Sequence, residues 1–431
     1  MTNLQTSKLA QDIRRHVRLT TAAAMAFAGL AGTAMADEGV PAAASSIEIY
    51  GLLDIGIESV NNGAGAKTSL TSGLADGSRL GFKGSEDLGG GWKAIFTLES
   101  RLELDTGGIT NRNDSRSAPT SLPPPLRSLV DAGALPAETA AAIQAEIQRS
   151  ASVVNERGSF FDRQAYMGLV TPVGAFLFGR QYTPAYAAFS YFDSTENATA
   201  ASPAQSYLGI LPRADNAISH VIQGIGPVST YLMYAPSEKR VGGMQAGSLT
   251  AGMIRYTHGG FDLALGGDWY RAEPASSHTG LRAVTMAAAY SVGGWRLSYA
   301  QVRAHNPRSI TDFTSPNVSF ADLDGAVGAL MSIDQHVHHL GVRWNGGPHT
   351  IAMALNIVRD QRKGIAADVN HFGLLYRYAI SKRTGLYGAY ARADNRGMAR
   401  VGLNAAGTAG GFTRDFGVDS RAFQIGIQHR F

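Results

Sequence analysis

The chain's 431 residues include 51 Gly, 16 Tyr, 17 Phe and no Cys, and a mean hydropathy of -0.07 makes it hydrophilic overall. Without Cys there is no disulfide framework, and this hydropathy excludes a bundle of spanning helices, each of which needs about 20 mainly apolar residues. Lys8, Arg14, Arg15 and Arg18 against Asp12 put +3 of the net +4 into residues 1–36, leaving +1 for the rest, so a basic pI is no argument for nucleic-acid binding.

At the N-terminus those bases precede "LTTAAAMAFAGLAGTAMA", which ends in Ala34-Met35-Ala36. Basic, apolar and small-residue regions in that order predict a secretory signal over residues 1–36, cleaved before Asp37. A retained membrane anchor is the weaker reading, because Ala, Gly and Thr dominate the segment. The exported chain, residues 37–431, is then either soluble or a membrane β-barrel.

Period-two patterning begins at once. "SSIEIYGLLDIGIES" sets Ile47, Ile49, Leu53, Ile55 and Ile57 against Glu48, Tyr50, Asp54 and Glu58, as in a strand with one apolar and one polar face. In "SRLGFKGSEDLGGGWKAIFTLESRLELDTG", Leu80 and Phe82 oppose Arg79, Gly81 and Lys83. After the glycines, Trp92, Ala94, Phe96, Leu98, Ser100, Leu102 and Leu104 oppose Lys93, Ile95, Thr97, Glu99, Arg101 and Glu103. The connector "GSEDLGGG" predicts a hairpin between the two. A soluble sandwich would bury the same apolar face inside, so one hairpin alone leaves the choice open.

Residues 108–159 interrupt the alternation with a connection far longer than usual. Pro123 to Pro125 are expected to stiffen its first half. Its second half predicts a short helix, with Pro136 in the first turn, Glu138 near the positive end, and Ala140, Ile143 and Ile147 on one face.

Alternation then resumes and runs to the C-terminus. "HHLGVRW" sets Leu340, Val342 and Trp344 against His339, Gly341 and Arg343, and "HFGLLYRYAI" sets Phe372, Leu374, Tyr376 and Tyr378 against Gly373, Leu375 and Arg377. The final "FQIGIQHRF" alternates Phe423, Ile425, Ile427 and Phe431 with Gln424, Gly426, Gln428 and Arg430. His336 and His338 share a face while His339 points away, so "HVHH" does not make a metal site, and no metal or other cofactor is expected. No phosphate loop or nucleophile elbow is present.

Aromatics cluster near strand ends, as in interfacial girdles, and export favours a barrel over a sandwich. At some 40–45 residues per hairpin, about 345 residues outside the insertion give about eight hairpins. The expected fold is all-β, a 16-stranded antiparallel transmembrane β-barrel, wide enough for a water-filled lumen. Charged residues would face that water and apolar ones the lipid.

"SRLGFKGSEDLGGGWKAIFTLE", "FDRQAYMGLVTPVGAFLFGRQYTPAY", "YAISKRTGLYGAYARADN" and the terminal "GIQHRF" together resemble the general porins of Gram-negative β-proteobacteria. The resemblance implies an outer-membrane homotrimer, each barrel with its own pore, narrowed by an inward-folded third loop whose carboxylates face wall arginines. Many such porins prefer anions. By position after "FGRQ", residues 182–215 match the inward loop, with Asp193 and Glu196 its central carboxylates. Arg79, Arg101 and Arg180, with Glu99, are then the wall candidates. Arg180 faces inward only if its strand bends at Gly179, because strict alternation from Phe176 and Phe178 turns it toward lipid. Phe431 matches the C-terminal residue that the barrel-insertion machinery recognises.

The expected function is passive diffusion of small hydrophilic solutes and ions, moderately favouring anions, with outer-membrane lipid, lipopolysaccharide, the insertion machinery and further copies of the chain as partners, and no nucleic acid. Two rivals from other classes are a receptor or adhesin using the long insertion, and a barrel hydrolase, which would need Ser, His and a carboxylate converging on one face. The insertion itself is read as a lid, a clasp on a neighbouring subunit, or surface decoration.

Overall fold

The computed structural model describes residues 45–112, 122, 124–133, 135–141, 144, 153–155, 158–203, 210, 212–236, 240–241, 244–245, 247–271, 280–306, 332–362, 365–405 and 411–431. The expected signal, with its cleavage site before Asp37, lies outside the described residues, as do Ile143 and Ile147. Its wall is formed by β1 (Ser46–Asn61), β2 (Ala66–Ser72), β3 (Arg79–Gly89), β4 (Trp92–Arg101), β5 (Gln164–Thr171), β6 (Gly174–Tyr182), β7 (Arg213–Ile225), β8 (Val228–Ala235) and β9 (Leu249–His258). It continues through β10 (Phe261–Tyr270), β11 (Arg282–Val292), β12 (Trp295–Asn306), β13 (Ile333–Gly346), β14 (His349–Asp360), β15 (Val369–Ala379), β16 (Thr384–Asn395) and β17 (Ser420–Arg430).

These 17 elements form one sheet in which chain neighbours pair antiparallel, except β2 and β3, which both pair with β1. β1 is long enough to pair with two of them on one edge, β3 along Ser46–Leu52 and β2 along Ile55–Asn61. β2 and β3 therefore share one position in the wall, and the circuit has 16 strands. β17 closes it against the other edge of β1, from Leu52↔Arg430 to Asn61↔Arg421. Strand pairing ends at Arg430, one residue before the terminus, but the seam extends to it. Phe431 N donates to Gly51 O at 3.2 Å and Gly51 N to Phe431 O at 3.1 Å. The Phe431 ring lies where a Cβ on Gly51 would be, 2.3 Å away.

Closure satisfies the backbone without water, which is what lipid requires of a sheet. The outer surface carries Ile49, Met167, Phe178, Leu265, Leu340 and Ile425, all exposed. Toward the short turns Trp92, Phe261, Tyr290, Trp295 and Tyr376 form an aromatic girdle. Chain alternation places these side chains without exception on the apolar parity. The connector "GSEDLGGG" is shorter as a turn than expected. Pairing runs on through Ser85↔Ile95 and Asp87↔Lys93, and only Gly89, Gly90 and Gly91 turn, with φ of 80°, 62° and 85°, a conformation open chiefly to glycine.

The long insertion holds two helical pieces among its described residues. The expected one is present at residues 137–141, where Ala140 is buried and its N–H reaches Pro136 O at 3.0 Å. A second, α1 (Pro124–Asp131), stands where proline stiffening was expected. Prolines at a first helical turn forfeit no hydrogen bond, so the run starts a helix instead of an extended rod.

Inside the barrel, the connection from β6 to β7 carries α2 (Pro184–Ser190), capped by Thr183 Oγ1, which accepts from Tyr186 N at 3.3 Å. α2 and the residues after it join one core with inward alanines and valines of the wall, including Ala187, Phe189, Phe192, Ala264, Ala289, Val302, Val337 and Val358. The inward face is therefore not uniformly polar, contrary to the simple division into lumen charges and lipid-facing apolar residues. Where the inward segment touches the wall, the wall is small. A Cβ on Gly266 would lie 2.6 Å from Ala188 Cβ, one on Gly341 2.6 Å from Ser194 Cβ, and one on Gly373 2.2 Å from Ala201 O. Gly373→Val is expected to keep the barrel, since its strand pairing is untouched, but to push residues 194–201 off β15. Single-channel recording should then show altered conductance and more current noise, with normal heat-modifiable mobility.

Candidate functional site

Three features of the segment after α2 fix its shape. Glu196, Asn197 and Thr199 have φ of 60°, 57° and 63°, a left-handed backbone that costs of order 1–3 kcal/mol per non-glycine residue and persists only where surroundings enforce it. Asp193 supplies the enforcement. Its carboxylate accepts from Thr195 N and Thr195 Oγ1, both at 2.8 Å, and from Asn197 N and Ser202 Oγ, both at 2.9 Å. Beyond it Ser194 Oγ donates to Met353 O at 2.7 Å and Ala200 N to Gln424 Oε1 at 2.8 Å, so the segment is pinned to the wall at β14 and again three strands on at β17.

The strained turn presents Glu196 to two arginines. One carboxylate oxygen pairs with Arg343 and the other accepts from Arg377 Nη1 at 2.8 Å. Burial alone would raise this carboxyl, but Arg377 and Arg343, helped by Arg430, outweigh it and hold the group below the ordinary glutamate range. A second contact lies one turn earlier. Arg255 sits 3.8 Å from the ring centre of Tyr191, and Arg296 Nη2 donates to Tyr191 O at 3.1 Å. Both arginines converge on Asp262, at 2.7 and 2.8 Å. All four arginines lie within a few residues of the short-turn ends of their strands.

The residues expected at the site divide between roles. Glu196 faces wall arginines. Asp193 does not: it is 3% exposed and spent on the loop's own backbone and hydroxyls. Arg79 lies 8% exposed, paired with Asp76, 3.9 Å from Glu99, and donating to Gly77 O at 3.0 Å. Glu99 is fully buried, accepting from Arg163 Nε at 2.7 Å and Tyr50 Oη at 3.1 Å. Arg101 is held by Asp162 at 3.3 Å and Glu103 at 3.1 Å. These groups are buried and ion-paired with one another beside β1 to β5, and none of them is paired with the carboxylates of the inward segment. Arg180 corrects a further expectation. The strand does bend, with Gly179 at φ 129° and a register shift before Gln181. Even so, Arg180 lies opposite Ala165, on the parity of exposed Met167, and is held by Asp215 and by Asp162 O at 2.6 Å. It is not brought to the loop's carboxylates.

Arg343 and Arg377 were not singled out from sequence, although both stand on the polar parity of their strands, which was the available signal. Arg163, in "FDRQ", carried no such signal, since it shares the odd parity of Ala165, Met167 and Leu169, the outward face of β5. The histidines follow the expected parity. His339 is buried inside, with Nδ1 2.8 Å from Asn356 Oδ1, whereas His338 lies beside Tyr299 on the outer face. Among the described residues no three His, Asp or Glu side chains are grouped to hold a metal ion.

A closed antiparallel barrel with an apolar outside, and with a pinned segment crossing a charged interior, defines a membrane channel. A family model described as Gram-negative porin matches residues 20–398, and the chain belongs to that family. The chain is 25% identical over 401 residues to outer membrane porin protein 32 of Delftia acidovorans, covering 92% of this chain and 97% of that one. An outer membrane porin protein of Bordetella pertussis is 26% identical over 468 residues, covering 96% and 100%. Among solved structures, an anion-selective porin from Comamonas acidovorans superposes with a TM-score of 0.67 at 23% identity, over 90% of this chain and 100% of that one. The trimer form of OmpT from Vibrio cholerae gives 0.56 at 12% identity, over 90% and 100%. The protein is thus an outer-membrane porin of the Gram-negative type, with small hydrophilic solutes passing through its lumen.

Two substitutions separate the roles of the loop carboxylates. Asp193→Ala removes four acceptor contacts from a buried turn, each unsatisfied group costing roughly 1–3 kcal/mol, and should give a noisy channel with a mobile constriction. Glu196→Gln leaves the turn intact and should raise anion preference with little noise. Because the Glu196 carboxyl is held low, its ion pairs persist as pH falls through the ordinary glutamate range near about 4.3 and are lost only below it. Conductance recorded from pH 7 downward should therefore stay level until below that value.

Proposed function

We propose that this porin is a general diffusion channel with a moderate preference for anions, narrowest where Glu196 meets Arg343 and Arg377. The carrying observation is the charge balance of the partly exposed interior groups. Arg255, Arg296, Arg343 and Arg377 have side chains 25%, 18%, 17% and 24% exposed, opposed by Glu196 and Asp262. The excess is positive where the segment narrows the lumen. Fixed charges there act across a short, poorly screened distance and outweigh the net charge of the whole chain. Similarity to an anion-selective relative supports the same sign. Arg79, Arg101 and Glu99 contribute through a field that their own partners largely cancel, and Arg180 contributes at the outer rim. Transport is passive, and no catalytic step, metal or cofactor is invoked.

Assembly as a homotrimer is part of this reading. Leu80, Phe82, Leu98, Met167, Phe176 and Phe178 make the outer surface of β3 to β6 apolar, fitting it for subunit contact, and the OmpT trimer form shares the fold. The signal over residues 1–36 would direct export, and the terminal Phe431, set in the barrel seam, would serve as the handle for the insertion machinery. Residues 108–159 would project on the extracellular side with the other long connections, as lid, clasp or decoration. A receptor or adhesin role would rest on that insertion alone.

Reversal potential in a KCl gradient tests the constriction. Arg343→Glu and Arg377→Glu should each move it toward cation selectivity, and Arg79→Glu should move it less. The shift should be largest in dilute salt, since the Debye length is about 10 Å at 0.1 M and about 3 Å at 1 M. An unchanged potential in both Arg343→Glu and Arg377→Glu would remove the assignment. Deleting residues 110–157 should raise conductance if the insertion is a lid, or lower the temperature of trimer dissociation if it is a clasp. No change in either would leave decoration.

A further inference from the structure

β2 and β3 share one edge of β1 without being continuous. Ile55 pairs with Ser72 and Leu52 with Arg79, so the six residues 73–78 stand opposite only Leu53 and Asp54. In a wall that meets lipid on one side, surplus backbone leaves the ladder inward, where its polar groups can be answered. Leu74 and Ala75 are accordingly buried inside, and a Cβ on inward-facing Gly56 would lie 2.7 Å from Leu74 Cδ1. Asp54 ties this turn down from beneath. Its carbonyl accepts from Gly73 N at 2.8 Å and from Ser78 Oγ at 2.9 Å, and its carboxylate accepts from Ala75 N at 3.1 Å. Tyr387 Oη and Gln428 Nε2 hold the same carboxylate from β16 and β17, at 2.7 and 3.0 Å.

The β6–β7 segment is built the same way, with Asp193 buried beneath and Glu196 carried forward. Leu74 and Ala75 lie in one apolar cluster with Ala198 and Ala201, so the two inward turns meet in a common core. What the smaller turn carries is Asp76. It pairs with Arg79 and stays the more open of the two, with 20% of its side chain exposed against 9%. Its charge also acts on Arg163, just before β5, and on Arg430. Arg430 is the register partner of Leu52 across one edge of β1, as Arg79 is across the other, and Glu196 and Arg377 act on it as well. The two carboxylates therefore address one row of arginines from two turns.

A guanidinium matched by its own carboxylate offers a passing anion little net field, whereas an unmatched one attracts it. Asp76 is placed to decide which of these Arg79 is. We propose that Asp76 is a specificity-determining residue, a second carboxylate at the narrow section, which masks Arg79 and so holds the anion preference to a moderate level. The inference rests on the proposed anion-preferring constriction and adds a second boundary to it. One side of the passage is the β6–β7 segment; the other is a turn of the wall itself, and both set how many arginines are open to solute.

The test is the reversal potential of the full-length protein in a planar bilayer under a KCl gradient. A unit charge about 4 Å from an ion in water changes the ion's local concentration roughly fivefold before screening, so Asp76→Asn should raise the anion-to-cation permeability ratio about two- to fivefold near 0.1 M salt and far less near 1 M. Current noise should stay at the wild-type level, because Asp54, Leu74 and Ala75 still hold the turn. Asp76→Glu should keep the wild-type ratio, and Asp76→Asn combined with Arg79→Gln should return to it, since the pair is then removed together. If Asp76→Asn fails to fold, as judged by heat-modifiable mobility, Asp76→Cys carries the test, because the chain has no other Cys. An anionic thiol reagent should restore the wild-type ratio in that variant, and a cationic one should raise the anion preference further. Asp87→Asn, at the exposed glycine turn, should change nothing. A wild-type ratio in Asp76→Asn, a shift that persists when Arg79 is also neutralised, an equal shift in Asp87→Asn, or an Asp76→Cys ratio that neither reagent moves would each overturn the assignment. The constriction itself survives those results if Arg343→Glu and Arg377→Glu still move the potential, whereas unchanged potentials in all these variants remove both.

Discussion

Everything in this molecule follows from the need to satisfy backbone N–H and C=O groups where no water can reach them. In hydrocarbon an open sheet edge is prohibitive, so the strands must close on themselves, and the closure is made by β17 against β1, with the terminal Phe431 bonded to Gly51 in both directions. Once closed, the wall has one side in lipid and one side facing inward, and alternation along each strand becomes compulsory. A slip by one residue at any strand would turn arginines into the bilayer and leucines into the lumen. The glycine at position 51 belongs to this constraint, because the seam leaves no room there for a side chain.

A closed barrel of this width would be an unselective hole. The segment from β6 to β7 changes that by occupying the interior, and its fit explains a feature that a simple lumen does not require. Much of the inward wall opposite α2 is alanine, valine and glycine, since a helix and a strained turn are packed directly on it. The two carboxylates of the turn then do different work. Asp193 holds the left-handed backbone together from beneath, and Glu196, carried at the crest of that backbone, pairs with Arg343 and Arg377 of the strands on which the turn is packed.

Charge is also distributed with a side. Arg79, Arg101 and Arg163 are locked into buried pairs with Asp76, Asp162, Glu99 and Glu103 in the early wall, where they stiffen it. A pair that is desolvated and fully matched contributes little net field. The arginines that remain partly open to the lumen come from β9, β12, β13 and β15, facing the inward segment. On the outside, the late strands also carry Arg282, Arg303, Arg359 and Arg421 on their outward parity.

The resemblance to the porins placed the inward segment at residues 182–215, whereas the sequence pattern by itself determined the strands, their inner and outer parities, and the barrel with its sixteen-strand circuit. Those are consequences of a period-two pattern read by two solvents, and they are local in the chain. It also made Arg343 and Arg377 visible as inward residues, without distinguishing them from Arg79 or Arg101. Only the tertiary structure decided which arginines are free. Whether a guanidinium is cancelled or offered to solute depends on carboxylates distant in the chain, such as Asp162 for Arg101, 61 residues away, and Glu196 for Arg377, 181 residues away. The opposite fates of Asp193 and Glu196, three positions apart, were likewise set by a backbone conformation that no local pattern specifies. Strand parity is fixed by nearest neighbours in the chain, whereas charge neutralisation is fixed by neighbours in space.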